Sequence, residues 1–395
     1  MHAPPAPPWG QQTVLRSPEI TRRVTWDSGR EEATAVVLGA GGALGPDVVH
    51  ALQARGYGTV IGADVQLTYP VAGAVYRHLD LGDGDAVAAF LDDVGARGTL
   101  GAVIDLAAVQ TNPRDGVRGG LGVGRAALAD ALANTEVPWV YMSTAEVYGA
   151  PEGAPYTEDH VQAPINPYGL CKQAEEHQVL AAHDAGLRVC ALRCWTIAMV
   201  DTDGEGEVVA TRNYNDPLIA LAERLARAGV RIPVVEPEAR CQFHLGEEVA
   251  QVLVWLAEQP GDSDVWGRAW NCPGKATTHA ELAEACFRVF AAEAGATPWW
   301  APAARVALGR RVPRRPLEAV GRVAEAVGAF GARELGTRLP FLYRSTDMDS
   351  AALSRRMGDA LLEGGGDSTV AVRRLCQGIA RGGPDQLSLR RYRTY

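Results

Sequence analysis

Tyr168 and Lys172 stand four residues apart in Pro167-Tyr-Gly-Leu-Cys-Lys172, so on a helix they share one face. An ammonium beside a phenol favours the phenolate, which lets the tyrosine take or give a proton near neutral pH. Y-x-x-x-K by itself is common by chance. It gains weight from Gly39-Ala-Gly-Gly-Ala-Leu-Gly45, far upstream, and from the intervening run Tyr141-Met-Ser-Thr-Ala-Glu-Val-Tyr-Gly149. The glycines follow a short apolar strand and open a helix. Gly39 permits the tight turn, Gly42 lets backbone approach a pyrophosphate, and Gly45 lets helix and strand pack closely. The helix starts at Leu44, and its unpaired first-turn N–H groups suit phosphate. Pro46 fits there because a first-turn proline forfeits no helical bond. A dinucleotide cradle with a lysine-tuned tyrosine points to hydride chemistry.

Asp64 ends the next strand, Thr59-Val-Ile-Gly-Ala-Asp64. A carboxylate there accepts hydrogen bonds from an adenosine ribose diol and repels a 2′-phosphate. No arginine follows in Val65-Gln-Leu-Thr-Tyr69, so the expected cofactor is NAD and not NADP. Asp80 and Leu81, after a further short strand, are placed at the adenine edge, and the aspartate equally suits a helix cap.

These residues need a scaffold, and the chain from Thr34 onward supplies one. Apolar strands at Ala35–Leu38, Thr59–Ala63, Ala102–Leu106, Trp139–Ser143 and Arg188–Cys194 alternate with helices at Leu44–Arg55, Ala86–Val94, Leu121–Ala133 and from Tyr168 to Ala185. Strands apolar on both faces imply a parallel sheet covered on both sides. Right-handed crossovers then give a doubly wound α/β (Rossmann) sheet, with a smaller irregular C-terminal lobe. The division read from the chain is an N-terminal extension at 1–33 and a cofactor domain at 34–198 with returns at about 241–272. A substrate lobe takes 199–240 and 273–345, leaving a tail at 346–395. Within the lobe a helix is expected over Asp216–Gly229, a short strand over Arg231–Val235 and a helix over Thr278–Ala294.

Composition bounds the partners. The 395 residues carry a net charge of −9 and 47% hydrophobic residues. That supports a full core and argues against nucleic acid or an anionic membrane as a partner. The seven cysteines match no zinc spacing and read as buried thiols. No metal is expected. Without a membrane-length apolar run or a signal core in Met1–Pro8, the expectation is a soluble cytoplasmic protein. His244 and His279 read as structural, Trp299-Trp300 as packing, and Arg310, Arg311, Arg314 and Arg315 as a solvated face.

Taken together, Gly39–Gly45, Asp64, Asp80-Leu81, Leu106-Ala-Ala108, Ser143–Gly149, Pro167–Lys172 and Leu192-Arg193 resemble the extended short-chain dehydrogenase/reductase family, in its NAD-dependent sugar epimerase/dehydratase branch. The likeness spans about Thr34 to Gly274. It implies Tyr168 as acid/base on a sugar hydroxyl and Thr144 bonded to the same hydroxyl, with Ser143 beside it. It implies Lys172 on the nicotinamide ribose. Gly39, Gly42, Leu44, Gly45, Asp64, Asp80, Leu81 and Ala107 would hold NAD, in a homodimer.

Glu146, two residues past Thr144, resembles the base of nucleotide-sugar 4,6-dehydratases, which removes a carbon-bound proton after transient oxidation. Several residues depart from the pattern. Ala145 stands where many dehydratases have an aspartate, and Leu121 where many relatives have asparagine. Trp195 and Thr196 replace a sugar-nucleotide cradle, and Arg240, the candidate phosphate arginine, is offset by one residue. The expectation is a sugar dehydratase acting on a nucleotide sugar or nucleoside. An epimerase is the alternative, and a dehydrogenase releasing NADH the alternative of another class.

Overall fold

The computed structural model describes residues 30–108, 122–150, 152–212, 217–229, 234–293, 344–358 and 366–382. Several sequence expectations lie outside them: most of the N-terminal extension, Leu121, Arg231–Pro233, Trp299-Trp300, the Arg310–Arg315 cluster and the last residues of the tail.

Strands β1 (Ala33–Leu38), β2 (Thr59–Asp64), β3 (Val75–His78), β4 (Thr99–Asp105), β5 (Trp139–Met142), β6 (Val189–Arg193) and β12 (Ala269–Asn271) form one seven-stranded sheet in the order β12-β6-β5-β4-β1-β2-β3. Every pairing in it is parallel. The expected strands are present with boundaries shifted by one to three residues. The reason for their double-faced apolarity is plain in β1. Ala35 and Val37 pack on one side with helices α1 (Gly45–Ala54) and α6 (Gly246–Ala257), whereas Val36 and Leu38 pack on the other with α2 (Gly84–Arg97) and α3 (Gly122–Leu132). Helix α4 (Pro167–Ala181) joins that second layer through Val179.

The order reverses between β1 and β4, and the loops that follow these two strands open a crevice at the carboxyl ends. All the chemistry-bearing segments sit at that edge. The glycine turn follows β1, Asp64 closes β2, Ala107 follows β4, Ser143 and Thr144 follow β5, and Trp195 follows β6.

Beyond β6 the chain builds smaller pieces. β7 (Thr196–Ala198) pairs in parallel with β11 (Phe243–Leu245), whereas β8 (Val200–Thr202) pairs with β9 (Val208–Thr211) as a hairpin and β10 (Arg240–Cys241) pairs antiparallel with β13 (Thr277–Thr278). Helices α5 (Pro217–Arg227), α7 (His279–Glu293), α8 (Ala351–Met357) and α9 (Ser368–Arg381) complete the helices of the described part. Residues 346–358 and 366–382, which the sequence reading placed in a tail, carry helices α8 and α9. Leu375 and Cys376 of α9 pack with Phe290 and Cys286 of α7 and with Ala198 and Leu245. Arg212 joins the hairpin to the cofactor half: its guanidinium donates to the Ala43 carbonyl at 2.9 Å, to Asp47 Oδ1 at 2.8 Å and to the Val200 carbonyl at 3.1 Å. All seven cysteines are free thiols; six are buried and only Cys171 is partly accessible. Among the described residues, no helix is long and apolar enough to cross a membrane.

Candidate active site

The glycine turn is built for backbone, not side chains. A Cβ on Gly41 would lie 1.7 Å from the Gln66 carbonyl oxygen, and one on Gly45 2.0 Å from the Ala40 carbonyl oxygen. Gly39 has φ +76° and would meet the Ala107 nitrogen at 2.7 Å, so it is excluded from bearing a side chain on both counts. Gly42 is exposed and leaves its flank of the turn bare. Leu44, at the N-cap of α1, offers no side-chain acceptor, so it leaves first-turn N–H groups for an outside anion. A dinucleotide pyrophosphate fits this turn.

Asp64 is bonded to that turn. Its Oδ2 accepts from the Gly41 N–H at 2.9 Å and its Oδ1 from the Gln66 N–H at 3.1 Å. Burial pushes its carboxyl up, against the pull of these backbone donors. A carboxylate has about four acceptor positions, so lone pairs remain for a ribose diol. Asp64→Ala is therefore expected to weaken NAD and relax its preference over NADP, read by calorimetry with both dinucleotides. Equal affinity of the unaltered protein for NADP would overturn the assignment. Asp80 is exposed, its Oδ1 accepting from the Gly82 N–H at 2.7 Å, while Leu81 and Ala107 are buried. The cap of α2 is Asp83, whose side chain accepts from the Ala86 N–H at 3.0 Å.

Just past the end of β5, Thr144 is buried and lies beside the half-buried Tyr168. Burial, then the nearby Glu146 carboxylate, push the Tyr168 phenol well above its ordinary value, with the Thr144 side chain opposing them. The tyrosine is not lowered by Lys172 here. Lys172 is buried, and its Nζ donates to the Tyr141 hydroxyl at 3.0 Å and to the Met142 carbonyl at 2.9 Å. The four-residue spacing put both on one helix without fixing where the ammonium would bond.

Glu146 is half-buried, and its Oε2 accepts from Asn166 Nδ2 at 2.6 Å. Asn166 is also the N-cap of α4, its Oδ1 accepting from the Gly169 N–H at 2.8 Å. One side chain thus starts the Tyr168 helix and holds the carboxylate. Sequence reading passed over Asn166, although Asn before Pro is a recognisable helix start. It also passed over Gly41, which is the tightest of the glycines.

The expected substrate contacts scatter. Ser143 turns inward, 2% exposed, and donates to Glu176 Oε2 at 2.5 Å. Glu176 is also gripped by Arg193 at 2.6 and 3.0 Å. Trp195 is half-buried against the cluster of Tyr148 and Tyr156, and Thr196 is exposed on β7. Arg240 is exposed with its Nε 3.1 Å from Asp347 Oδ2. It lines an open cleft of about 390 Å³ together with Gln242, Lys275, Asp347 and Ser350. The structure therefore brings together Thr144, Glu146 and Tyr168, and sets Arg240 in a separate, charge-paired cleft.

Residues 35–272 match the model described as the NAD dependent epimerase/dehydratase family. The UDP-glucose 4-epimerase of Azospirillum brasilense is 33% identical over 177 residues, 43% of this chain and 50% of that protein. The UDP-glucose 4-epimerase of Rhizobium meliloti is 31% identical over 214 residues, 50% of this chain and 62% of that protein. The chain thus spans about half of the first of these two relatives and somewhat more of the second. Among solved structures, Bordetella bronchiseptica WbmG in complex with NAD superposes with a TM-score of 0.59 at 17% identity, over 88% of this chain and 96% of that one. At that identity the likeness is one of fold.

Proposed function

The chain belongs to the NAD dependent epimerase/dehydratase family, and from that premise we propose that it inverts a hydroxyl-bearing centre of a nucleotide sugar without net oxidation. The carrying observation is the placement of Thr144 and Glu146 beside the Tyr168 phenol at the carboxyl edge of the sheet that also carries the glycine turn. NAD, when bound, supplies the hydride acceptor that later gives the hydride back.

The protein's own groups handle the proton. Thr144 orients the Tyr168 oxygen, and Tyr168 removes the proton of the sugar hydroxyl and later returns it. Burial and Glu146 make the protonated phenol the resting form, so the first step draws on the minor phenolate and the last step has its proton at hand. Gly39, Gly41, Gly45 and the start of α1 would hold the pyrophosphate and Asp64 the ribose, with Lys172 close to the nicotinamide end. The two UDP-glucose 4-epimerases support a nucleotide-sugar substrate. A cytoplasmic homodimer belongs to the same proposal, and light scattering after gel filtration tests the subunit count.

Dehydration is the second reading, favoured by one observation: Glu146 is held by Asn166 next to the Tyr168 phenol, where a base for a carbon-bound proton is needed. Ala145, fully buried, offers no acid for a departing hydroxyl, and this favours epimerisation.

Turnover of UDP-sugars in deuterated water with catalytic NAD separates the readings. Epimerisation at the oxidised carbon gives product of unchanged mass with no carbon-bound deuterium, and Glu146→Gln stays active. Dehydration gives loss of 18 Da, one deuterium next to the oxidised carbon, and a Glu146→Gln variant that stalls. Stoichiometric release of NADH would overturn both.

A further inference from the structure

We infer that Glu175, anchored by Arg125 and Asp105, is a positioning residue that fixes the Lys172 ammonium through the Tyr141 hydroxyl. The role given to Lys172 rests on the proposed function, but the geometry of its surroundings does not.

Five side chains from four elements form one buried chain. Asp105, at the end of β4, receives Arg125 Nε at Oδ2 at 2.7 Å. Arg125, from α3, reaches Glu175 Oε1 through Nη1 at 2.9 Å. Glu175 Oε2 accepts the Tyr141 hydroxyl proton at 2.8 Å, and the Tyr141 oxygen accepts from Lys172 Nζ at 3.0 Å. Asp105, Arg125, Lys172 and Glu175 are all under 7% exposed.

The direction of the middle bond is the argument. A tyrosine hydroxyl has a single proton. With Glu175 taking it, the oxygen presents only lone pairs toward Lys172 and must act as acceptor. Lys172 gives a second proton to the Met142 carbonyl at 2.9 Å, which leaves one of its three N–H bonds for another partner. Arg125 Nη2 also donates to the Ala107 carbonyl at 2.7 Å. The same guanidinium therefore braces both the Lys172 support and a loop at the rim of the crevice.

Charge points the same way. The groups facing Lys172 are Cys171, Glu175 and Glu176 on α4, Arg125 on α3, Asp105 on β4 and Tyr141 on β5. Burial pulls the ammonium down to about 8, Glu175 opposes this most strongly, Arg125 adds to the fall, and Asp105 and Glu176 oppose it. Removing the Glu175 charge leaves burial and Arg125 less opposed, so the lysine should lose its proton at lower pH.

The sequence makes this measurable, because Lys172 and Lys275 are its only lysines and Lys275 is exposed. Protein labelled with ¹³C at lysine Cε gives two resonances, one of them an internal reference. In the unaltered chain Lys172 is expected to titrate well below an ordinary lysine. Glu175→Gln should move the Lys172 midpoint down by about one pH unit or more and leave Lys275 in place. Glu175→Asp, which keeps the charge, should recover most of the difference. Should Glu175→Gln fail to fold, Tyr141→Phe carries the test: it keeps the carboxylate but cuts the link, and the midpoint should again fall. A Lys172 midpoint that is unchanged in a folded Glu175→Gln or Tyr141→Phe protein overturns the inference. The titration needs neither NAD nor sugar, so failure of the proposed function would show separately, as absence of NAD binding.

Discussion

Tyr168→Phe is expected to bind NAD nearly as the unaltered protein does and to lose turnover by about 10²-fold or more, the usual worth of a positioned general acid/base. The aromatic ring stays, so packing at the start of α4 is kept, and only the hydroxyl beside Thr144 is removed. Calorimetry for NAD and a steady-state assay with a UDP-sugar read the two halves of the result. If most activity survived, the tyrosine would be a packing residue and the proton would have to travel through another group, of which Glu146 is the nearest candidate.

Arg125→Ala should cost stability where Tyr168→Phe costs rate. Arg125 is 1% exposed and lies between Asp105 and Glu175, two carboxylates that also face Lys172. Without the guanidinium, two buried carboxylates share one ammonium, and breaking a buried pair from one side costs about 3–5 kcal/mol. Urea unfolding followed by tryptophan fluorescence measures it. A loss under about 1 kcal/mol would mean that water enters the site and takes over the Arg125 contacts.

The sheet was legible because a parallel strand must be apolar on both faces, and β1, β5 and β6 leave no other reading. The glycine turn and Asp64 were legible because turn chemistry is local. The buried chain from Asp105 to Lys172 was not. Its members lie up to 70 residues apart in sequence, and a lone Asp105 at a strand end or Arg125 in a helix carries no mark of its partner. Ser143 shows the same limit in reverse. Its neighbours suggested substrate, whereas Glu176, 33 residues on, draws it inward. Helix α9 had a signal that went unused. Ala371, Val372, Leu375, Cys376 and Ile379 are its buried face, an apolar stripe at helical spacing.

The placement of the cysteines turns the chain into its own conformational clock. In the folded protein only Cys171 meets solvent, on the helix turn between Tyr168 and Lys172, and the other six lie under both halves of the structure. A thiol reagent therefore marks one site on the intact fold and gains the rest only as each region opens. Cys190, Cys194 and Cys272 time the opening of the sheet, while Cys286 and Cys376 time the separation of α7 from α9. Mass spectrometry of the labelled chain would then read, peptide by peptide, which half comes apart first.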